Sequence, residues 1–183
     1  MKQIYDYIEV QNVLDKDFCN NLICSLNQRE WSAHTWSDTT GKEVGSRDKE
    51  ELEVMSAKEE GVPLQKLVIE CCREYRKKHV GDYSWIKSFS EIRFNKYVTG
   101  TNMNSHIDHI HSIFDGVHKG IPIISVVGLL NDDYKGGEFM FNKEYKVELK
   151  QGDILLFPSN FLYPHRVNNI REGTRYSFVT WGF

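Results

Sequence analysis

The feature that most constrains the fold is a series of short apolar or alternating segments that begins after Gly81. These segments cover residues 86–97, 121–130, 138–141, 145–149, 154–157, 166–167 and 174–181. Turn-forming residues separate them, for example the pair Gly136 and Gly137 and the sequence after Pro158. Many short strands without intervening helices indicate an antiparallel sandwich or barrel.

The first eighty residues carry two helical patterns instead. Asp15 is a suitable N-cap for a helix that runs to about Gln28, because apolar residues follow it at helical spacing. Pro63 suits the first turn of a second helix that runs to about His79. We therefore expect an α+β fold in which helices come first and strands follow.

Three further segments complete the N-terminal half. Residues 2–10 alternate well enough to predict a strand, and residues 31–36 predict a short one. Residues 37–61 are charged and contain several glycines, so they predict a long surface loop. Long loops in compact domains commonly act as lids or binding loops, and we interpret this one as a candidate lid.

The length of 183 residues fits a single domain, 1–183. Residues 1–80 are expected to provide helical support and the candidate lid, and residues 81–183 the β-rich half. The formal net charge is −3, and no apolar run approaches the roughly 20 residues of a bilayer span. We expect neither a nucleic-acid partner nor a membrane partner. The N-terminal residues lack the apolar region of a signal peptide.

The cysteines predict neither a zinc site nor a disulfide framework, since no C-x-x-C pair is present. Buried, reduced thiols on the two helices are the simplest interpretation. That interpretation implies a reducing compartment, so we expect a cytoplasmic location. The cysteines are Cys19, Cys24, Cys71 and Cys72.

The strongest chemical signal is a set of candidate metal ligands. In an extended chain, His106 and Asp108 point to one face. His165, at the start of a later strand, is the candidate third ligand. Two histidines and one carboxylate, with the other coordination positions open, form the arrangement used by non-haem Fe(II) oxygenases. His109 and His111 are assigned no role.

Arg175 lies ten residues after His165, in a segment whose alternation places Arg175, Ser177 and Val179 on one face. A guanidinium inside a β-barrel is costly unless it meets an anion, so an inward Arg175 predicts a dicarboxylate cosubstrate. One end of that molecule would bind the metal and the other end the arginine. The alternative is an outward Arg175 paired with Glu172 or Asp153.

With these residues, the sequence resembles the Fe(II)/2-oxoglutarate-dependent dioxygenases, and within them the prolyl 4-hydroxylase group. The signature is H-x-D, a distal histidine and a basic residue about ten positions later. The similarity runs from residue 91 to 183. It includes residues 93–100, 128–139, 152–159, 165–167, 174–177 and Trp181.

The resemblance implies a double-stranded β-helix (jelly-roll) core with N-terminal helices packed on its major sheet. It implies that His106, Asp108 and His165 bind iron, and that Arg175 binds the distal carboxylate of 2-oxoglutarate. It also implies that Tyr97 hydrogen-bonds this cosubstrate. Trp181 matches an aromatic residue on the substrate side, although a core aromatic is an almost equal alternative.

We therefore expect a dioxygenase that uses Fe(II), 2-oxoglutarate and O₂, with ascorbate as a candidate reductant. The expected substrate is a prolyl residue in a peptide or protein. A free amino acid or other small metabolite is the main alternative, because fold does not fix function. Two further alternatives are a non-catalytic jelly-roll module that binds a metal and a zinc hydrolase, although no H-E-x-x-H motif is present. The sequence does not predict an oligomeric state.

Overall fold

The computed structural model describes residues 2–37, 43–44, 52–81, 86–108, 114–115 and 119–183. The helices are a 3-10 turn at Ile4–Tyr7, α1 (Lys16–Leu26) and α2 (Lys58–His79). The first strands are β1 (Glu9–Asn12), β2 (Ser32–Ala33), β3 (Trp36–Ser37), β4 (Glu43–Val44), β5 (Glu53–Ser56), β6 (Arg93–Tyr97), β7 (Met103–His106), β8 (Phe114–Asp115) and β9 (Lys119–Gly120). The later strands are β10 (Ile124–Leu129), β11 (Lys135–Gly136), β12 (Phe139–Phe141), β13 (Tyr145–Val147), β14 (Asp153–Pro158), β15 (His165–Val167), β16 (Ile170–Glu172) and β17 (Arg175–Gly182).

Two antiparallel sheets enclose the inner core. The major sheet has the order β1-β14-β10-β17-β6-β5-β2, and the minor sheet has the order β13-β12-β15-β7. Side chains from both sheets pack together between them, including Val127 and Phe157 from the major sheet and Phe141 from the minor sheet. Two facing antiparallel sheets with helices on one side confirm the predicted α+β jelly-roll architecture.

A second core lies on the other face of the major sheet. Helices α1 and α2 bury Leu22 and Leu64 against Val126 and Phe178 of the sheet. Because successive strand residues point to opposite faces, the major sheet divides its side chains between the helices and the interior. The interior face positions the candidate site.

Helix α1 has the predicted N-cap. The Asp15 carboxylate accepts hydrogen bonds from the amides of Asp17 and Phe18, at 2.9 and 3.1 Å. Helix α2 begins at Lys58 rather than near Pro63, so the predicted start is wrong. Acidic residues in its true first turn stabilise the earlier start, and Glu60 there also pairs with Arg29 at 2.6 Å.

The predicted strand over residues 2–10 is wrong for its first part. There the Asp6 carboxylate accepts a hydrogen bond from the Gln3 amide at 2.7 Å, which favours a local turn over a strand.

The segment 31–36 divides into β2 and β3, and the segment 86–97 is regular strand only in β6. The prediction of a loop over 37–61 is wrong at β4, at the start of α2 and at β5, which pairs with β6 and buries Met55. Residues 38–42 and 45–51 lie outside the described part, so the lid stays a prediction.

Three of the four cysteines are buried on the helices as predicted, and Cys24 is exposed. Burial raises the pKa of Cys19 and Cys71 to about 11 and that of Cys72 to about 12. Those three thiols are therefore protonated and unreactive at neutral pH. Within the described residues, no helix is long and apolar enough to cross a lipid bilayer.

Candidate metal centre

Three residues converge at one end of the minor sheet. His106 ends β7 and pairs with His165 at the start of β15, and Asp108 follows two residues after His106. The Asp108 Oδ1 atom lies 3.4 Å from His106 Nε2 and 3.8 Å from His165 Nε2. Candidate ligand atoms of all three residues lie within 4.8 Å of one another. We call these residues the triad; the structure brings together the ligands that the sequence predicts.

Backbone carbonyl groups orient both imidazole rings of the triad. His106 Nδ1 lies 2.8 Å from the carbonyl oxygen of Asn104, and His165 Nδ1 lies 3.1 Å from that of Tyr163. A proton on each Nδ1 satisfies these carbonyls, so Nε2 is the atom that is able to coordinate a metal. The His165 ring also stacks on Phe139, with centroids 5.3 Å apart, which restricts its rotation.

The electrostatics of the triad favour the protonation states that metal binding requires. Burial raises the pKa of Asp108, but His165, His106 and the Ser125 hydroxyl outweigh it and hold that pKa well below its usual range. Burial lowers the pKa of His165 to about 4. At neutral pH the site therefore presents a carboxylate and a neutral His165 imidazole, the forms that coordinate a cation.

Ser125 is a member of the site that the sequence analysis missed. Its hydroxyl donates a hydrogen bond to Asp108 Oδ2 at 2.5 Å and lies 2.7 Å from the hydroxyl of Ser159. Ser125 is completely buried in β10, whose other side chains are apolar. A single hydroxyl in an otherwise apolar buried strand is the sequence signal that identifies such a residue.

Arg175 lies inside the barrel, as the alternation predicts, and is 1% exposed. Its Nη1 donates a hydrogen bond to the Ser177 hydroxyl at 2.8 Å, while Nε and Nη2 have no hydrogen-bond partner among the described residues. The alternative outward position is wrong: Glu172 pairs with Lys135, and Asp153 accepts from Asn12. A buried guanidinium with two unpaired N–H groups is suited to bind an anion.

Tyr97 stands beside Arg175. The two residues are register partners on β6 and β17, and the guanidinium carbon lies 5.1 Å from the centroid of the Tyr97 ring. Burial raises the pKa of Tyr97, against an opposing effect of Arg175. The phenol is thus a neutral hydrogen-bond donor in a pocket that also contains His106 and His165.

Trp181, near the C-terminal end of β17, lines the same pocket. It also packs against the inner core. Trp181 therefore has both a pocket-lining surface and a core-packing surface, the two positions that the sequence left open. His109 and His111, which the sequence analysis left without a role, lie outside the described residues.

Residues 92–183 match the sequence model of the 2OG-Fe(II) oxygenase superfamily, in which 2OG denotes 2-oxoglutarate. The match covers half of the chain and includes every residue of the triad. The chain belongs to this superfamily. The predicted resemblance is confirmed, and the protein is an Fe(II)- and 2-oxoglutarate-dependent dioxygenase.

Two relatives of this dioxygenase are PKHD-type hydroxylases. The relative from Idiomarina loihiensis is 26% identical, over 95% of this chain and 76% of its own length. The relative from Gluconobacter oxydans is 34% identical over 94 residues, which cover 48% of this chain and 40% of that relative. The chain thus spans less than half of the second relative.

Two solved structures share the fold of the dioxygenase. A prolyl hydroxylase from Trichoplax adhaerens, in complex with a peptide fragment of a hypoxia inducible factor, superposes with a TM-score of 0.74 at 18% identity, over 96% of this chain and 83% of that one. A prolyl-4-hydroxylase from Pseudomonas putida gives a TM-score of 0.68 at 19% identity, over 96% and 91% of the two chains. These matches confirm the jelly-roll prediction.

The superfamily uses Fe(II), 2-oxoglutarate and O₂, and the residues of the pocket fit these groups. The triad offers two imidazole nitrogens and a carboxylate, which is the donor set of a non-haem Fe(II) site. The unpaired N–H groups of Arg175 need an anion, which a dicarboxylate provides. A zinc hydrolase has no need of that arginine.

Proposed function

We propose that this dioxygenase hydroxylates a prolyl residue in a peptide or protein. The observation that carries the proposal is the triad of the minor sheet, which lines one pocket with Arg175 and Tyr97 of the facing major sheet. The PKHD-type relatives support a hydroxylase, and the prolyl hydroxylases of similar fold support proline as the target. The Trichoplax enzyme is in complex with a peptide, which supports a peptide or protein substrate over a free metabolite.

In this proposal His106, Asp108 and His165 bind Fe(II). The iron, with 2-oxoglutarate and O₂, supplies the oxidation of a C–H bond, coupled to decarboxylation of 2-oxoglutarate to succinate. The backbone carbonyls behind both imidazoles and the Ser125 hydroxyl behind Asp108 keep the three side chains in place. The protein therefore presents a preorganised site that needs little rearrangement on binding.

Arg175 binds the distal carboxylate of the cosubstrate, and Tyr97 donates a hydrogen bond to it. The guanidinium has two unpaired N–H groups, and Ser177 holds its remaining side in a fixed orientation. A rigid, planar guanidinium loses little conformational entropy when it binds a carboxylate. Apolar side chains such as Val127 and Val179 line the same pocket.

Trp181 lies on the substrate side of the pocket in this proposal. We also propose that residues 1–80 support the catalytic half, residues 81–183, because α1 and α2 pack on the outer face of the major sheet. Ascorbate would serve as a reductant of the iron, and the cytoplasm would be the location of the enzyme.

The experiment that tests the proposal measures succinate formed from 2-oxoglutarate in the presence of Fe(II), ascorbate and a panel of proline-containing peptides. We expect succinate to form together with a peptide whose proline has gained one oxygen atom. The variants His106→Ala and Asp108→Ala should form neither product. Free proline and other free amino acids are included, since turnover of these alone would replace the peptide proposal with the small-metabolite alternative.

A further inference from the structure

A second arginine, Arg93, faces the same pocket as Arg175 and is distinct from the residues that we propose bind iron and cosubstrate. Arg93 is four residues before Tyr97 on β6, so both side chains point to the interior. Arg175 pairs with Tyr97, whereas Arg93 pairs with Val179. At about 3.3 Å per strand residue, the two arginines are attached roughly 13 Å apart along the sheet. They therefore serve different parts of the pocket.

Arg93 has a positive charge without a counterion. Its guanidinium carbon lies 5.1 Å from the centroid of the Trp181 ring. Its Nε is buried without a hydrogen-bond partner, and no ion pair joins Arg93 to another described residue. Burial lowers the pKa of Arg93, with opposing effects from Tyr97 and Asp108, but a guanidinium stays protonated at neutral pH.

Two neighbours of Arg93 also carry unpaired polar atoms in this part of the pocket. The indole Nε1 of Trp181 and the side-chain Oδ1 of Asn95 are buried and have no hydrogen-bond partner within the described chain. All three residues line one pocket with the triad. Buried polar groups without partners destabilise a protein, and such groups in a pocket indicate that a ligand satisfies them.

Asp108 is the nearby anion, but the metal centre already uses its charge. The two positive charges of Fe(II) and the one of Arg175 balance the negative charge of Asp108 and the two of 2-oxoglutarate. The charge of Arg93 is left over in this balance. The substrate is the remaining component of the reaction that is able to supply an anion to Arg93.

We infer that Arg93, with the indole N–H of Trp181, binds a carboxylate of the substrate beside the C–H bond that is oxidised. The inference rests on the proposed function and narrows its substrate class. The carboxylate has two sources: an acidic side chain next to the target proline, or the α-carboxylate of a proline at the end of a chain. Both give the same contact with a guanidinium.

Four matched peptides test the inference and separate the two sources. The first has an internal proline next to glutamate, and the second has glutamine in its place. The third ends in proline with a free carboxylate, and the fourth is its amide. We expect kcat/KM to be at least about tenfold higher for one carboxylate peptide than for its neutral partner, as for one charge-assisted hydrogen bond.

Arg93→Gln should reduce that ratio to about one, and Arg93→Lys should restore part of it. Lys96→Gln is the matched control, because it also removes one positive charge from β6. Lys96 lies on the opposite face of the strand, where it pairs with Glu53 at 2.8 Å. This control should keep the full preference. Equal rates for both pairs in the unmodified protein, or a preference that survives Arg93→Gln, would overturn the inference.

Calorimetric binding of the same peptides separates this inference from the proposed function. If carboxylate peptides bind about tenfold more tightly than neutral ones and Arg93→Gln removes the difference, the inference stands even without turnover. If neutral peptides are hydroxylated and no carboxylate preference exists in rate or binding, the proposed function stands and the inference fails.

Discussion

The two faces of the major sheet are built from the same strands but bury different sets of side chains. The face toward the helices carries Val126, Leu156 and Phe178, which are completely buried and apolar. The interior face carries Arg175 and Ser125, which are equally buried and polar. One sheet thus serves both stability and a candidate binding site: the outer face packs against the helices, and the inner face carries Arg175, whose Nε and Nη2 have no partner among the described residues.

Close packing shows how specialised the outer face is. A Cβ atom at Gly128 would lie 2.0 Å from the ring of Phe178, so only glycine lets this ring approach the sheet. On the inner face, Nε and Nη2 of Arg175 lack partners within the described chain. Substitutions on the two faces should therefore affect different properties, and the predictions below test this separation.

The largest effect is expected from Asp108→Ala. Loss of the carboxylate of the triad should lower turnover by on the order of 1,000-fold or more, because a reaction that depends on the metal fails without its ligand. Succinate formation and bound iron are the measurements. Glu172→Gln, an exposed carboxylate in an ion pair with Lys135, is the control and should keep full activity. Activity that survives in Asp108→Ala would contradict the role of the triad.

Phe178→Ala should instead lower the free energy of unfolding by about 3–5 kcal/mol, since it removes a fully buried ring from the outer face. Urea unfolding measures this loss. The 2-oxoglutarate requirement should stay that of the unmodified protein, as expected if the outer face contributes only to stability. A change in that requirement without loss of stability would contradict the different roles of the two faces.

Arg175→Met, in contrast to Phe178→Ala, should change the 2-oxoglutarate requirement and leave the free energy of unfolding almost unchanged. Loss of the guanidinium should raise the apparent 2-oxoglutarate requirement by about 100-fold, as for two charge-assisted hydrogen bonds. In the absence of cosubstrate, the free energy of unfolding should not fall by more than about 1 kcal/mol, because methionine fills the space without an unpaired charge. A large loss of stability would show that Arg175 is structural.

The metal-free protein should lose stability as the pH falls from about 6.5 to about 4. His165 has a pKa of about 4 in the folded protein, below the ordinary value of 6.5, so the unfolded chain binds the proton first. The free energy of unfolding should fall by about 2–3 kcal/mol across this range. His165→Gln should show a smaller fall between pH 6.5 and 4, measured by urea unfolding at each pH. An equal fall in both proteins would show that protonation of His165 does not cause the loss of stability.

The smallest effect is expected from Ser125→Ala. This variant removes the hydrogen bond to Asp108 and should weaken iron binding by about tenfold, as for other groups that orient a ligand. Ser159→Ala is the matched control, since Ser159 contacts Ser125 and makes no hydrogen bond to Asp108 among the described residues. Equal effects of both substitutions on iron affinity would exclude a specific role for Ser125.

The sequence predicted His106, Asp108 and Arg175 because their signals are local, whereas His165 was predicted from the need for a third ligand and from the family resemblance. The spacing of His106 and Asp108 and the alternation around Arg175 determine which face each side chain occupies. Ser125 and Arg93 were missed because their roles depend on partners far away in the chain. Ser125 meets Asp108 only after β10 joins the major sheet, and Arg93 meets Trp181 only after β6 pairs with β17.

The errors in secondary structure have similar causes. Strand β5 forms by long-range pairing with β6, which local composition does not report. The turn before β1 forms because the Asp6 side chain satisfies a nearby amide, which overrides an alternating pattern. The early start of α2 reflects acidic residues in its first turn rather than the position of Pro63.

Anaerobic addition of Fe(II) and 2-oxoglutarate to the protein tests directly whether the pocket binds both. We expect a weak visible metal-to-ligand charge-transfer band. The band should disappear in Asp108→Ala and should require more 2-oxoglutarate in Arg175→Met. If no band forms in the unmodified protein, or if the band is unchanged in both variants, the pocket between the two sheets is not the site that binds iron and cosubstrate.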